Sequence, residues 1–302
     1  MVLPISMKRL RDHYEKGENI MQLLRDAGVT KDSEAVLAAY DLQAGTYVEA
    51  MRSPSYSARK LKYASAIAKV LNQLGAASIL EAGVGEATTI AHVIPRMIPQ
   101  PIIAAGFDIS WSRLAQAKIY SRRHAAISLV LGDLFAIPAA DNSFDVVYTA
   151  HSIEPNRGME KAALKELYRV ARRYVVLFEP AATFGNQATK SRIEHHHYCT
   201  DLERHARELG YEVGEHRLFD ISLSDENQTE LLAIVKDSSS DENADHTRWV
   251  ACPRCGTPLV DHLEQLYCEE CCLVYPIIGD IPCLLPTAGI LASNFLSINP
   301  DK

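Results

Sequence analysis

Short continuous apolar runs, each closed by turn-forming residues, punctuate the middle of the chain at 76–80, 102–107, 127–131, 144–150 and 174–178. Runs of that length with little alternation predict buried strands. Before and between them the apolar positions take helical spacing. Residues 1–74 predict helices, with Ile20, Leu23 and Leu24, then Val36, Leu37 and Tyr40, on helical faces, and 60–74 as an amphipathic helix leading into the first strand. Gly28 and the cluster Thr30-Lys31-Asp32-Ser33 separate the first helices, with Ser33 as an N-cap. Ser110 caps a helix that runs to about Arg123. Ala163, Leu164, Leu167 and Val170 mark another over 161–173, and Gly210 ends a third over 201–209. Two final strands, 212–218 and 230–235, flank the polar stretch 222–228. Strands alternating with helices predict an α/β fold.

The turn after the first run is Glu81-Ala82-Gly83-Val84-Gly85-Glu86-Ala87-Thr88-Thr89, and a helix start over 90–94 follows it. Gly83 and Gly85 carry no Cβ, so backbone N–H groups there can approach a ligand closely, although a G-x-G alone also marks ordinary tight turns. The second run ends in Asp108, where an acidic residue suits the hydroxyls of a ribose. The third ends in Gly132-Asp133-Leu134, and the fourth follows the turn Asp141-Asn142-Ser143.

Taken in order, Glu81-x-Gly83-x-Gly85, Asp108, Gly132-Asp133 with Ile137-Pro138, and Asn142-Ser143-Phe144-Asp145-Val146-Val147 resemble the class I S-adenosylmethionine-dependent methyltransferases over roughly residues 60–236. The resemblance implies a Rossmann-like sheet of seven strands with the last inserted antiparallel, an N-terminal helical cap, and S-adenosylmethionine as cofactor. It places Gly83 and Gly85 against the methionine part of that cofactor, Asp108 on the ribose and Asp133 on the adenine amino group. Glu81, Ile109, Leu134 and His151 complete the expected cofactor contacts. Ala87 stands where many members have a third glycine, and it is small enough to keep helix and strand close.

At 302 residues, 47% of them hydrophobic, the chain can bury a full core and carry a second small unit. The net charge of −7 argues against a broad nucleic-acid surface, although Arg169, Arg172 and Arg173 form a local basic patch. No stretch is long and apolar enough to cross a membrane, and the N-terminus lacks an apolar signal core, so a cytoplasmic protein is expected. Nothing in the sequence points to an oligomeric state. Six of the seven cysteines lie between Cys252 and Cys283, which in a cytosolic chain suggests metal more than disulfides.

Candidate catalytic residues sit where strands four and five end, since ligands of open α/β sheets bind beyond the carboxyl ends of the strands. The loop His151-Ser152-Ile153-Glu154-Pro155-Asn156 lacks the Asn/Asp-Pro-Pro-aromatic signature of amino-group methylases of adenine and glutamine. It offers His151 and Glu154 for removing a proton from a hydroxyl or amine, or His151 as a residue packed on the cofactor. Strand five ends in Glu179-Pro180, and about twenty residues, 181–200, replace the expected short connection. They hold His195, His196 and His197; adjacent histidines cannot share a helical face, which argues against a metal site made of this run alone. His196 or a neighbour is a further candidate base, alongside Glu179. In the cap, Tyr47, Arg52 and Tyr56 belong either at the pocket mouth or to the packing of a helix pair.

The polar stretch 236–246 marks a boundary, giving a cap over 1–60, a methyltransferase domain over 61–237, a linker over 238–247, a metal module over 248–287 and a tail over 288–302. Cys252-Pro-Arg-Cys255 and Cys268-Glu-Glu-Cys271 are two knuckles with twelve residues between them. Together they give the tetrahedral thiolate set that Zn²⁺ prefers, with rubredoxin-like iron as the alternative. Cys272 is expected to point away and Cys283 to pack inward. The run from Tyr275-Pro276-Ile277 to Gly279-Asp280-Ile281-Pro282-Cys283-Leu284-Leu285 resembles small zinc-binding, zinc-ribbon-like proteins, some of which activate methyltransferases; here Gly-Asp replaces their Asp-Gly. The resemblance implies a fused module, with structural zinc, docked on its own catalytic domain.

Three functions fit. The first is methyl transfer to oxygen or nitrogen of a small polar metabolite such as a sugar, nucleotide-sugar or secondary metabolite. The second is an RNA- or protein-modifying methyltransferase of the translation apparatus that docks its substrate through the zinc module. The third is a scaffold that has lost the cofactor, against which the intact Gly83, Gly85, Asp108 and Asp133 speak.

Overall fold

The structure, a computed structural model, describes residues 3–29, 32–236 and 248–298. The expected linker over 238–247 and the Thr30-Lys31 and Ser33 cap positions lie outside the described residues or side chains.

Five helices come first: α1 (Met7–Glu15), α2 (Ile20–Asp26), α3 (Asp32–Leu42), α4 (Thr46–Ala50) and α5 (Pro54–Gln73). The first three bury a small core of their own around Leu10, Ile20, Leu24 and Ala38. Helix α5 starts earlier than its apolar stripe suggests, because Pro54 occupies the first turn, where its missing N–H costs nothing.

The central sheet then builds from β1 (Ser78–Ala82), β2 (Ile103–Asp108), β3 (Ser128–Leu131), β4 (Phe144–Ala150), β5 (Ala171–Pro180), β6 (Glu212–Leu218) and β7 (Thr229–Val235). Their order is β3-β2-β1-β4-β5-β7-β6, with β7 antiparallel to both neighbours and the rest parallel. This is the expected seven-stranded Rossmann-like arrangement. Strands β1 and β4 are buried almost throughout, because helices cover both faces, and that is why they read as unbroken apolar runs. The strand order reverses between β1 and β4, which opens a crevice at their carboxyl ends.

Helices α6 (Ile90–Val93), α7 (Trp111–Ser121), α8 (Glu160–Val170), α9 (Gln187–His196) and α10 (Leu202–Glu208) connect the strands. Three differ from expectation. α6 is a single turn followed by a 3-10 turn at Ile94–Arg96, since Pro95 cannot continue an α-helix. α8 ends at Val170, and β5 begins at once with Ala171 opposite Phe144. The helical apolar spacing cannot register that Arg172 is drawn into the sheet by the buried Asp145 carboxylate. The long connection over 181–200 contains α9, capped by Asn186 Oδ1 accepting from Thr189 N–H at 2.9 Å. Only Thr189 and Ile193 of α9 are buried, too few to give an amphipathic signal.

Residues 248–298 form the antiparallel sheet β13-β10-β9-β8 from β8 (Val260–His262), β9 (Gln265–Cys268), β10 (Leu273–Tyr275) and β13 (Ile290–Leu291). Between them a hairpin pairs β11 (Ile277–Ile278) with β12 (Ile281–Pro282). This unit closes the edge of the central sheet: Leu284 N–H donates to Leu131 O at 2.8 Å, and Cys283 bridges Leu131 in parallel. Trp249 packs edge-on against Phe144 at 5.2 Å, and Lys118 pairs with Asp280 at 2.6 Å. An open edge strand is a template for misassociation, and β3 is covered along this length.

Candidate active site

The glycine turn lies at the reversal point of the sheet. Gly83 has φ 71°, and a Cβ there would stand 2.3 Å from the Cβ of Ser152, so only glycine lets the β4 loop press onto this turn. Ser152 Oγ closes the contact by donating to Ala82 O at 2.6 Å. Ala87, at the third small position, is fully buried with φ 58°; an alanine takes a conformation that glycine adopts without strain.

Asp108, at the end of β2, is buried. Its Oδ2 accepts Gly85 N–H and its Oδ1 accepts Ser110 N–H, both at 2.9 Å. Burial raises its pKa, while Arg113 and these amides pull it down. The Ile109 amide adds to these, and a carboxylate has about four lone-pair sites, so room remains for a ribose hydroxyl. Asp133 Oδ1 accepts Phe135 N–H at 2.9 Å, which shapes the turn after β3.

Two adjoining chambers open here. The smaller, about 80 Å³, is lined by Gly83, Asp108, Ile109, Asp133 and Leu134. The larger, about 680 Å³, lies between the glycine turn, α9 and the N-terminal helices, within the range of ligand pockets. Glu81, Gly83, Gly85, Glu154 and His196 line it, and His151 lines both chambers. Every cofactor and catalytic candidate named from the sequence except Glu179 lines one chamber or the other. Of the cap residues, Tyr47 and Tyr56 line the larger one; Arg52 does not, and pairs with Glu49 at the exposed surface.

The cap is fastened over the turn. Glu86 accepts Gly45 N–H at 2.9 Å and Val48 N–H at 2.7 Å, and Asp41 accepts the Ser110 hydroxyl at 2.7 Å. The Arg113 guanidinium lies 4.8 Å from the ring centres of both Tyr40 and Tyr47. Sequence reasoning missed Lys60, Glu86 and Arg113. Lys60 and Arg113 each sit in line with buried residues of their helices (Ala64 and Ile67; Ala117 and Ser121), and a charge on a buried stripe is the signal that would have found them. Burial lowers the Lys60 ammonium to about 8, against the attraction of Glu81. Burial likewise raises Glu81 to about 7, offset by its 2.7 Å bond from the Tyr148 hydroxyl and by Lys60.

The β4 loop carries the proton-transfer candidates. His151 has φ 59°, a left-handed conformation uncommon for a side-chain-bearing residue and frequent at functional sites. Its Nδ1 is 3.1 Å from Glu154 Oε2 and its Nε2 is 2.8 Å from Thr229 Oγ1. Glu179 is placed differently from expectation. It lies behind the loop, 2% exposed, and accepts N–H of Ser152, Ile153 and Glu154 at 3.1–3.3 Å. His196 stands on the far wall, its ring stacked on Tyr198 at 5.1 Å; burial, followed by Arg192, lowers its pKa.

Away from the chambers, Cys252, Cys255, Cys268 and Cys271 bring their Sγ atoms within 4.8 Å of one another, and all seven cysteines are free thiols. A tetrahedral Zn²⁺ with bonds of about 2.3 Å places its sulfurs about 3.8 Å apart, so the four thiols suit that ion. Cys271 N–H points at Cys268 Sγ at 3.3 Å, the kind of donor that supports a thiolate. Cys272 is not in the cluster and Cys283 is buried, as expected.

Residues 79–173 match the methyltransferase-domain family. Solved structures agree on the fold. Magnesium protoporphyrin IX methyltransferase from Synechocystis PCC 6803 with bound SAH is 13% identical with a TM-score of 0.51, covering 68% of this chain and 100% of that one. The same enzyme with bound SAM is 14% identical with a TM-score of 0.50, over 70% and 99%. A putative O-methyltransferase from Nostoc punctiforme PCC 73102 is 15% identical with a TM-score of 0.50, over 66% and 60%. No curated protein matches the chain. Among the described residues no helix is long and apolar enough to cross a membrane.

Proposed function

We propose that the protein transfers a methyl group from S-adenosylmethionine to an oxygen or nitrogen of a small polar metabolite. The observation that carries this reading is the pair of chambers meeting at Gly83 and His151 under the fastened cap. Gly83, Gly85, Asp108, Asp133 and Leu134 are the residues that would hold the donor, and a neighbouring fold was solved with SAM bound. Bound there, the donor supplies a methyl already activated on a sulfonium. The protein's share is then alignment, exclusion of water and deprotonation of the acceptor. His151, which lines both chambers, is the residue that would take the acceptor proton, with Glu154 beside its Nδ1 and the buried Thr229 hydroxyl holding the ring through Nε2. Glu179 supports the loop amides rather than touching the acceptor. Tyr14, Arg192, His196 and Tyr198 give the acceptor side a polar, aromatic wall.

The reading in which the cysteine module docks a macromolecule finds less support. Residues 248–298 carry two arginines and no lysine against five carboxylates, which opposes a phosphate-binding face. None of them lines either chamber. The module's zinc, held by Cys252, Cys255, Cys268 and Cys271, is structural in this proposal.

Calorimetric titration of S-adenosylmethionine into the wild type and Asp108→Ala tests the donor site. The expected result is micromolar binding by the wild type, weakened at least tenfold in the variant, followed by an acceptor screen with labelled methyl. No binding to the wild type would leave the scaffold reading in its place.

A further inference from the structure

Arg113 is a buried charge of the site whose guanidinium has no acceptor fixed on it. It is 5% exposed, its Nε is buried without a hydrogen bond, and among the described residues its guanidinium makes no ion pair. The nearby Asp108 carboxylate is directed to the amides of Gly85 and Ser110. The carboxylates lining the larger chamber are likewise engaged: Glu81 by Tyr148, Glu86 by the cap amides, Glu154 by His151 and Glu18 by His13. Burial works against the cation, and the attraction of Asp108, with Tyr47 and Tyr40 beside it, outweighs that cost, yet no acceptor is fixed on the guanidinium. An arginine in that position is prepared for an anion that arrives with a ligand.

Its location says which anion. Nη1 lies 3.7 Å from where a Cβ of Gly85 would stand, and Arg113 lines both chambers. Tyr40 and Tyr47 lie beside it and line the larger chamber with it, so an anion there would sit between the glycine turn and the cap. We propose that Arg113, clamped between Tyr40 and Tyr47, is the carboxylate-binding residue for the methionine part of the donor. This rests on the donor reading above. It also assigns a purpose to the aromatic pair: the two rings hold the planar guanidinium in one plane, and the donor's carboxylate completes the fastening of the cap. Lys60, the other buried cation of the larger chamber, sits beside Glu81 and is partly compensated by it.

The test compares S-adenosylmethionine with its decarboxylated analogue, by calorimetry, on the full chain as wild type, Arg113→Gln and Lys60→Met. The two ligands differ only in the carboxylate, so the readout is independent of turnover and of any acceptor. Wild type should prefer the carboxylate-bearing ligand by about 10- to 100-fold, the ratio expected for a hydrogen bond to a charged group. In Arg113→Gln the preference should fall to within about threefold with the analogue's own affinity retained, and in Lys60→Met the preference should persist. A wild type that binds both ligands equally overturns the proposal even where Arg113→Gln fails to fold. So does an Arg113→Gln protein that weakens both ligands alike, which would make the residue a fastener of the cap only, and so does a preference lost in Lys60→Met alone. An acceptor's carboxylate as the true occupant would also appear as equal binding of both ligands to wild type. Failure of both ligands to bind wild type would strike the donor reading itself.

Discussion

Glu179→Gln separates a supporting role for this carboxylate from a catalytic one, and it does so through stability. The Glu179 side chain is 2% exposed behind the β4 loop, where burial raises its pKa to about 7, opposed by attraction to His151 and reinforced by repulsion from Glu154. A raised carboxylate pKa means that the folded state holds the proton more tightly than the unfolded chain, whose value is near 4.3. Its contribution to stability is therefore greatest at low pH and is lost as pH rises through the window from about 4.5 to about 7. Across that window one such group is worth about 3 kcal/mol. Glutamine cannot ionise, so the variant lacks this fall. It does lose one acceptor, since its amide nitrogen faces one of the three loop N–H groups, at a pH-independent cost of about 1–2 kcal/mol. Wild type should thus be the more stable at pH 5 and the less stable at pH 8. Urea unfolding at pH 5, 6, 7 and 8, at fixed ionic strength, measures the difference directly. A wild-type minus variant difference that stays constant over this range, or that grows in favour of wild type as pH rises, would refute the reasoning.

His151→Asn should lower single-turnover methyl transfer by about 10²-fold or more while leaving the donor's Kd within about threefold, as loss of a general base requires. A variant with weakened donor binding and a near-normal transfer step would instead make His151 a packing residue. Cys268→Ser should lose bound metal, measured by elemental analysis, and should lower Tm by roughly 10 °C, the equivalent of several kcal/mol for a chain of this size. Cys268 is fully buried in the same core that joins Trp249, Leu273, Tyr275 and Leu284 to the central sheet. Loss of zinc with an unchanged melt would show that the packing holds without the metal, and iron in the elemental analysis would replace the zinc assignment.

Much of the fold could be read from the sequence because its central strands are covered on both sides. β1, β4 and β7 bury nearly every residue, so they leave apolar runs that need no tertiary information to recognise. The glycine turn, Asp108 and Asp133 were legible for a related reason: they sit at strand ends, where a few consecutive residues determine what the backbone presents. The two cysteine knuckles are local in the same sense, with only the pairing of Cys252–Cys255 and Cys268–Cys271 reaching across the chain. Helix α9 escaped because its buried face consists of a threonine and an isoleucine, and the α8–β5 boundary escaped because the Arg172–Asp145 pair that sets it joins residues far apart in sequence.

What the sequence hid about the site is the part supplied by the cap. Glu86 is inside the most recognisable stretch of the chain, yet its partners, Gly45 and Val48, lie 41 and 38 positions earlier, and nothing local distinguishes it from a solvated glutamate. Arg113 is similar: its rings come from Tyr40 and Tyr47, and its neighbour Gly85 from the turn before β2. The legible residues are therefore those at strand ends and in the turns that follow them, and the illegible ones are those whose partners come from the N-terminal helices. The distinction follows from how each half is made. A strand end and its turn bring their own geometry, whereas a lid acquires its chemistry only when helices distant in sequence close over it. Charged residues on otherwise buried helical stripes, such as Lys60 in α5 and Arg113 in α7, are where that second kind of information surfaces in a single sequence, because a buried charge is retained only against something that will meet it.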